Sequence, residues 1–288
     1  MEILLAEDMG FCFGVRRAVE SMNRAAYEGG LVESLGTVVH NPQVVEKMAR
    51  QGIEVIADLD EVKGETVAIT AHGVGPQVLE GLRTRDFRVV DTTCPIVKAA
   101  QNAAKKLSEA GFFVIIFGDP KHPEVRGVLG WAKNKGMATT DVSSVLAMEK
   151  PPRRIGILSQ TTQPPRHFSK FVNNIISSWL DRSLEIRVVN TTCDATTNQQ
   201  EAALALAKRV DVMIAIGGKN SANTRHLAEI CNDLGTETYH IERAVDIQPS
   251  WIKDKERVGI TAGASTPNEV IEEVISYLRS MAEKSPSK

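Results

Sequence analysis

Short apolar runs alternate along the chain with longer stretches in which apolar residues recur every third or fourth position. The first pattern predicts strands and the second predicts amphipathic helices. Strands are expected at Glu2–Ala6, Leu31–Leu35, Thr66–Thr70, Phe87–Val90, Phe112–Phe117, Ile155–Leu158, 184–189, 211–216 and 257–261. Helices are expected at Gly14–Glu28, Pro42–Arg50, 196–209 and 221–234, in stretches opening at Pro76, Pro95 and Pro123, from Pro164-Pro165 to about Leu180, and onward from Pro267. Proline is favoured at a helix opening because its missing N–H is not needed there. Gly29-Gly30 and Gly111 supply stops. Phe112–Phe117 is apolar throughout, as a strand buried on both faces of a parallel sheet is. Strands alternating with helices predict an α/β fold of mostly parallel sheets covered by helices. The polar tail EKSPSK is expected to fray.

A repeat lies within this pattern. Cys12, Cys94 and Cys193 each follow an apolar run and precede a helical stretch. Counting 24 residues on from each gives Gly36, Gly118 and Gly217, and counting 28 on gives His40, His122 and Ser221. A third matching element, AITAHGVGP, GILSQTTQP and GITAGASTP, places His72, Thr161 and Ser265 in the same small turn. Matched offsets imply internal repetition. We therefore expect three α/β units, 1–88 with Cys12, His40 and His72, 89–182 with Cys94, His122, Glu124 and Thr161, and 183–288 with Cys193, Ser221, Asn223 and Ser265. The opening strand could also complete the sheet of the third unit. A pseudo-threefold, trefoil-like arrangement would carry the thiols and polar loops to one centre. Parallel sheets collect ligands beyond the carboxyl ends of their strands, where all of these residues fall.

Composition narrows the possibilities. The 288 residues are 42% apolar and 24% charged, ordinary for a soluble globular protein. A net charge of −2 argues against a general nucleic-acid or membrane-surface binder. MEILLAED has no basic region before an apolar core, so no signal peptide is expected. Phe112–Phe117, the longest strongly apolar run, is far too short to span a bilayer. Four cysteines without a leader suggest a reducing compartment, where thiols serve metals or chemistry. Cys231 stands outside the repeat and reads as a small buried apolar residue.

Three thiolates from separate units can bind zinc or an iron–sulfur cluster. Closely spaced cysteine pairs, the usual zinc signal, are absent. A cubane cluster on three cysteines would leave one iron without a protein thiolate. Helix starts behind the cysteines favour thiolate. His40, Asn41, His72, His122, Thr161, Thr162, Ser221, Asn223 and Ser265 at helix starts make an anion site, with phosphate or diphosphate the natural guest. Helix capping is the commoner use of such serine, threonine and asparagine residues. No P-loop accompanies them. Glu124 beside His122 is an acid–base candidate, although a first-turn glutamate ordinarily serves the helix dipole.

GFCFGV, VVHNP, AHGV, DTTCP, KHPEV, SQTTQ, TTCDATTNQQEA, GGKNSANT and TAGAS resemble, in order, the motifs of the 4-hydroxy-3-methylbut-2-enyl diphosphate reductase family. The resemblance runs from residue 1 to about 280. It implies a 4Fe–4S cluster on Cys12, Cys94 and Cys193 with one open iron, and reductive loss of an allylic hydroxyl to give isopentenyl and dimethylallyl diphosphate. It implies diphosphate binding by His40, His72, His122, Ser221, Asn223 and Ser265, with Ala222 offering only its backbone N–H. Proton delivery falls to Glu124, with Thr161 and His122 beside the reacting hydroxyl. An electron donor such as ferredoxin or flavodoxin is implied, in the cytoplasm, with no nucleic-acid or membrane partner. An iron–sulfur hydro-lyase, needing no net electrons, and a non-catalytic iron–sulfur sensor are the alternatives. A sensor needs neither Glu124 nor loops suited to a diphosphate.

Overall fold

The computed structural model describes residues 1–133, 135–183 and 185–284. Its strands are β1 (Glu2–Leu5), β2 (Val32–Leu35), β3 (Ile53–Ile56), β4 (Thr66–Ile69), β5 (Arg88–Asp91), β6 (Phe113–Phe117), β7 (Gly136–Thr139), β8 (Arg154–Ser159), β9 (Glu185–Val188), β10 (Val212–Ile216), β11 (Thr238–Ile241) and β12 (Arg257–Ala262). Its α-helices are α1 (Phe13–Gly29), α2 (Pro42–Ala49), α3 (Pro76–Thr84), α4 (Pro95–Glu109), α5 (Pro123–Trp131), α6 (Val142–Leu146), α7 (Pro165–Trp179), α8 (Asp194–Ala207), α9 (Ala222–Asp233), α10 (Pro249–Ile252) and α11 (Asn268–Lys284). Leu184, expected to open a strand, and the last four residues of the expected frayed tail lie outside the described residues.

The strands form three four-stranded sheets, ordered β3-β2-β4-β5, β7-β6-β8-β9 and β11-β10-β12-β1. Every pairing is parallel. The α/β class and the threefold repeat are as expected. Two features differ from the sequence reading. Ile53–Ile56, Gly136–Thr139 and Thr238–Ile241 are strands that the periodicity did not predict. All three are sheet edges, short and only partly buried, so they lack a continuous apolar signature. The opening strands of the second and third sequence repeats also join the sheet of the repeat before, and the first strand completes the third sheet, as the sequence reading allowed. Arg88 pairs with Thr66, Glu185 with Arg154, and Glu2 with Arg257. The sheets are therefore offset by one strand from the sequence units 1–88, 89–182 and 183–288. Hydrogen-bonding partners are set by the sheet edge left open, which linear pattern does not reveal.

By compactness the chain divides into two units. One comprises Met1–Arg16, Val39–Lys47 and Asp194–Lys288 and contains the β11-β10-β12-β1 sheet. Alternate residues of its central strand serve two cores. Val212, Ile214 and Ile216 pack with Ile260, Val274 and Leu278, while Met213 packs with Leu206, Leu227 and Cys231. Each fully buried aliphatic side chain stabilises the fold by about 1.5–3 kcal/mol. Cys231 is fully buried there, as expected of a small apolar residue.

The other unit, Arg17–Val38 and Met48–Cys193, contains the remaining two sheets. Ile115, Phe117, Ile155 and Ile157 pack under α7 through Phe168, Phe171 and Ile175. On the opposite face Val114, Ile116 and Leu158 meet Ala100, Ala104 and Leu107 of α4. Proline opens α3, α4, α5 and α7 as predicted.

In each sheet the strand order reverses between two central neighbours: β2 and β4, β6 and β8, β10 and β12. Loops leaving the carboxyl ends of such a pair part to opposite sides and leave a crevice between them, the usual ligand position in open α/β sheets. His40 and His72, His122 and Thr161, and Ser221 and Ser265 all lie on those loops.

Candidate functional site

Equivalent backbone bonds build the loops three times. The glycine after each first central strand donates to the last residue of the adjoining edge strand: Gly36 to Ile56, Gly118 to Thr139, and Gly217 to Ile241. The cysteine N–H groups donate to the second residue beyond the other central strand: Cys94 to Ala71, Cys193 to Thr161, and Cys12 to Ala264. Each cysteine is thus pinned to a crevice loop of its own sheet. Cys12 and Cys94 also accept from Arg16 and Lys98, placing them at the starts of α1 and α4.

This register refines two sequence matches. Thr161 corresponds to Ala71 and Ala264, so Thr162 is the counterpart of His72 and Ser265. His122 and Ser221 cap α5 and α9 with their side chains, but in the first repeat the cap is Asn41, whose Oδ1 accepts from Gln43 and Val44. His40 is the residue before it. The one-residue difference arises because the loop from Gly36 to its cap is one residue longer than its counterparts.

One compact unit carries Cys94, Cys193, His72, His122, Glu124 and Thr161. Glu124 is 2% exposed, and both its oxygens are held by Thr161: the backbone N–H at 2.7 Å and the hydroxyl at 2.8 Å. Burial pushes the Glu124 carboxyl above its ordinary value, against the lowering pull of those two bonds. His122 Nδ1 accepts the Glu124 N–H at 3.2 Å, so a neutral ring carries its proton on Nε2 and presents a donor there. The His72 and His122 rings meet edge to face with centroids 5.3 Å apart, and Thr70 Oγ1 lies 3.3 Å from His72 Nδ1. Gln160, which the sequence reading passed over, ties the two loops together. Its Oε1 accepts from Asp119 N–H at 3.1 Å and its Nε2 donates to Thr162 at 3.3 Å. A Cβ on Gly118 would lie 2.7 Å from that of Gln160, which is why glycine is needed there.

The other unit carries Cys12, His40, Ser221, Ala222, Asn223 and Ser265. All but Cys12 and His40 are buried. Burial first, and then the charge of Arg225, lower the pKa of His40 and hold it neutral. Gly218 lets the backbone pass: a Cβ there would fall 2.0 Å from the His40 carbonyl oxygen. Ser221 Oγ accepts from Thr224 N–H at 3.3 Å, a capping role that leaves its own proton to donate.

None of the four cysteines is in a disulfide, and the three repeated ones are half-buried while Cys231 is fully buried. Burial raises the Cys94 thiol pKa most. The N–H groups of Ile96 and Val97 pull it down, and the Cys193 and Glu124 charges raise it further. The helix start alone does not secure a thiolate. Crowding of anionic groups around a half-buried thiol suits a cationic centre, which would relieve the repulsion. Within this unit Cys94 and Cys193 lie near enough to interact and, as thiolates, fit ligands of an iron–sulfur centre.

Fold and loops define an α/β protein that repeats, in each of three sheets, one cysteine and two polar crevice loops. The chain belongs to the LytB protein family, whose model matches residues 3–279. Relatives called 4-hydroxy-3-methylbut-2-enyl diphosphate reductase include one from Dehalococcoides mccartyi, 48% identical over 98% of this chain and 99% of its own. Another, from Geobacter sulfurreducens, is 44% identical over 99% of both chains. A solved structure described as (E)-4-hydroxy-3-methyl-but-2-enyl diphosphate reductase, the terminal enzyme of the non-mevalonate pathway, is 40% identical, covers 97% of this chain and 100% of its own, and has a TM-score of 0.69. The Plasmodium falciparum E-1-hydroxy-2-methyl-but-2-enyl-4-diphosphate reductase shares the fold, with a TM-score of 0.90 at 23% identity over 96% of this chain and 87% of its own.

Proposed function

We propose that the protein reductively removes the allylic hydroxyl of 4-hydroxy-3-methylbut-2-enyl diphosphate, consuming two electrons and two protons, one proton leaving with the hydroxide as water and the other ending on the allyl carbon of isopentenyl or dimethylallyl diphosphate. The buried Glu124–Thr161 pair carries the reading. Departure of hydroxide needs a proton, and a carboxyl whose pKa burial raises is suited to supply it. Thr161 holds both carboxyl oxygens, so the acid is oriented before substrate arrives. Full-length likeness to relatives named for this reaction supports the same reading.

The chain's residues divide the remaining work. Ser221, Asn223, Ser265, His40, His72 and His122, with the Ala222 N–H, bind the diphosphate. That anchorage is remote from the reacting carbon and positions the allyl group. Cys12, Cys94 and Cys193 hold a 4Fe–4S cluster, which when bound supplies the electron pair and a Lewis-acidic iron. A low-potential carrier such as ferredoxin or flavodoxin reloads it, in the cytoplasm. No described helix is long and apolar enough to cross a membrane.

The test is anaerobic turnover of reconstituted protein with and without a reductant. Products that form only with reductant, in step with its oxidation, are expected. Conversion without reductant would instead assign hydro-lyase chemistry.

A further inference from the structure

Gln199 lies on α8 and is 5% exposed, and Asn223 lies in the first turn of α9 and is 3% exposed. Both belong to the unit that carries Cys12. Gln199 Nε2 donates to the Gly10 carbonyl oxygen at 2.8 Å, and its Oε1 accepts from Asn223 Nδ2 at 2.9 Å. Asn223 Oδ1 is buried without a hydrogen-bond partner within the protein.

The chemistry of the first bond fixes the rest. A backbone carbonyl can only accept, so the end of Gln199 facing Gly10 must be its NH2 group. Its oxygen is then the end that faces Asn223 and must receive a proton. The NH2 of Asn223 is thereby committed to Gln199, and its oxygen is the group left over. Turning Asn223 over would set oxygen against oxygen. Turning both amides over would set the Gln199 oxygen against the Gly10 carbonyl.

We infer that Gln199 is a positioning residue that locks Asn223 with its amide oxygen turned toward the bound substrate, so that Asn223 acts as a hydrogen-bond acceptor and requires an O–H of the ligand. The inference rests on the function proposed above and revises one part of it, because a fully ionised diphosphate offers Asn223 nothing to accept. Two groups of the substrate have the needed chemistry: the carbinol hydroxyl and a protonated phosphate oxygen. A buried unsatisfied acceptor is costly, so a ligand that satisfies it is favoured over one that cannot. Gly10 lies two residues before Cys12. The chain of bonds therefore links the backbone beside that cysteine to the recognition of substrate.

Calorimetric binding to the cluster-loaded protein tests this, with the alcohol substrate, isopentenyl diphosphate and inorganic diphosphate as probes. Gln199→Met keeps length but removes both polar ends, and should weaken substrate binding by roughly three- to tenfold with iron content unchanged. In an Asn223→Ala background the same change should have no further effect. A loss confined to the alcohol identifies the carbinol as the donor. A loss shared with isopentenyl diphosphate and inorganic diphosphate, shrinking as pH rises, identifies a protonated phosphate. Gln199→Glu should recover affinity as pH falls, because only the protonated carboxyl can both donate to Gly10 and accept from Asn223. Unchanged affinity in Gln199→Met, or an equal loss with and without the Asn223 side chain, overturns the inference. Failure of the unaltered protein to bind the alcohol at all would instead overturn the proposed function.

Discussion

Replacing Glu124 with glutamine separates the chemistry of this residue from its packing. The glutamine carbonyl can accept the Thr161 N–H that now lies 2.7 Å from the carboxylate. Its NH2 can donate to Thr161 Oγ1, now at 2.8 Å, because a hydroxyl that donates can rotate to accept. With both bonds kept, stability should change by no more than about 1 kcal/mol. Loss of the acidic proton should slow turnover about 100-fold or more, a barrier increase of about 2.7 kcal/mol. Chemistry should thus suffer well beyond any structural cost. The pH dependence supplies a second signature. Burial raises the Glu124 pKa in the folded state, so the folded protein retains a proton that the unfolded chain releases. Its contribution to stability is fully present below the unfolded carboxyl pKa and is lost as pH rises through the folded value. Glu124→Gln removes that dependence, so the variant should gain on the unaltered protein as pH increases. Anaerobic rates with iron analysis, and denaturation across a pH series, measure the two effects. Near-normal turnover with an intact cluster, or a stability difference moving the other way with pH, would refute the reasoning.

Thr161→Val should leave one buried Glu124 oxygen unpaired, costing about 1–3 kcal/mol and lowering turnover, while Thr161→Ser should restore both; denaturation and steady-state rates distinguish them. Serine at Cys12, Cys94 or Cys193 should abolish or degrade the cluster by iron analysis. Cys231→Ser should keep its iron and lose about 1–3 kcal/mol of stability for a hydroxyl placed in the core. His40 is held neutral in the free protein and should take up a proton as the diphosphate binds. Affinity should then fall as pH rises, and the heat of binding should vary with the ionisation enthalpy of the buffer; a buffer-independent heat would exclude this.

Much of the fold was legible because the repeat reuses the same backbone duties. Gly36, Gly118 and Gly217 stand at one offset because each closes the same strand-end bond. Cys12, Cys94 and Cys193 begin the pattern because each is tied to an equivalent loop. What stayed hidden depends on partners far away in sequence. The opening strands of the second and third repeats cross into preceding sheets, a choice made by open edges. His40 matched His122 by counting, yet a single extra loop residue hands the cap to Asn41. Gln199 carried no signal of its own, since its partners are Gly10 and Asn223. Glu124 was noticed only for its neighbour, and its bond to Thr161 spans another strand and helix pair.

The pairing of β1 with β12 also sets a schedule for biogenesis. Leu5 aligns with Ile260, and the Cys12 N–H is received by Ala264. Neither partner exists while most of the chain is still being synthesised. At translation speeds of about 5–20 residues per second, Cys12 waits on the order of ten seconds or longer for its seat. Cys94 and Cys193 find Ala71 and Thr161 much sooner, because those partners precede them in the chain. A nascent chain on the ribosome can therefore present two seated thiols but not the third. Cys12 is thus anchored only once translation has passed Ala264, and a product truncated before that residue leaves its thiol unseated.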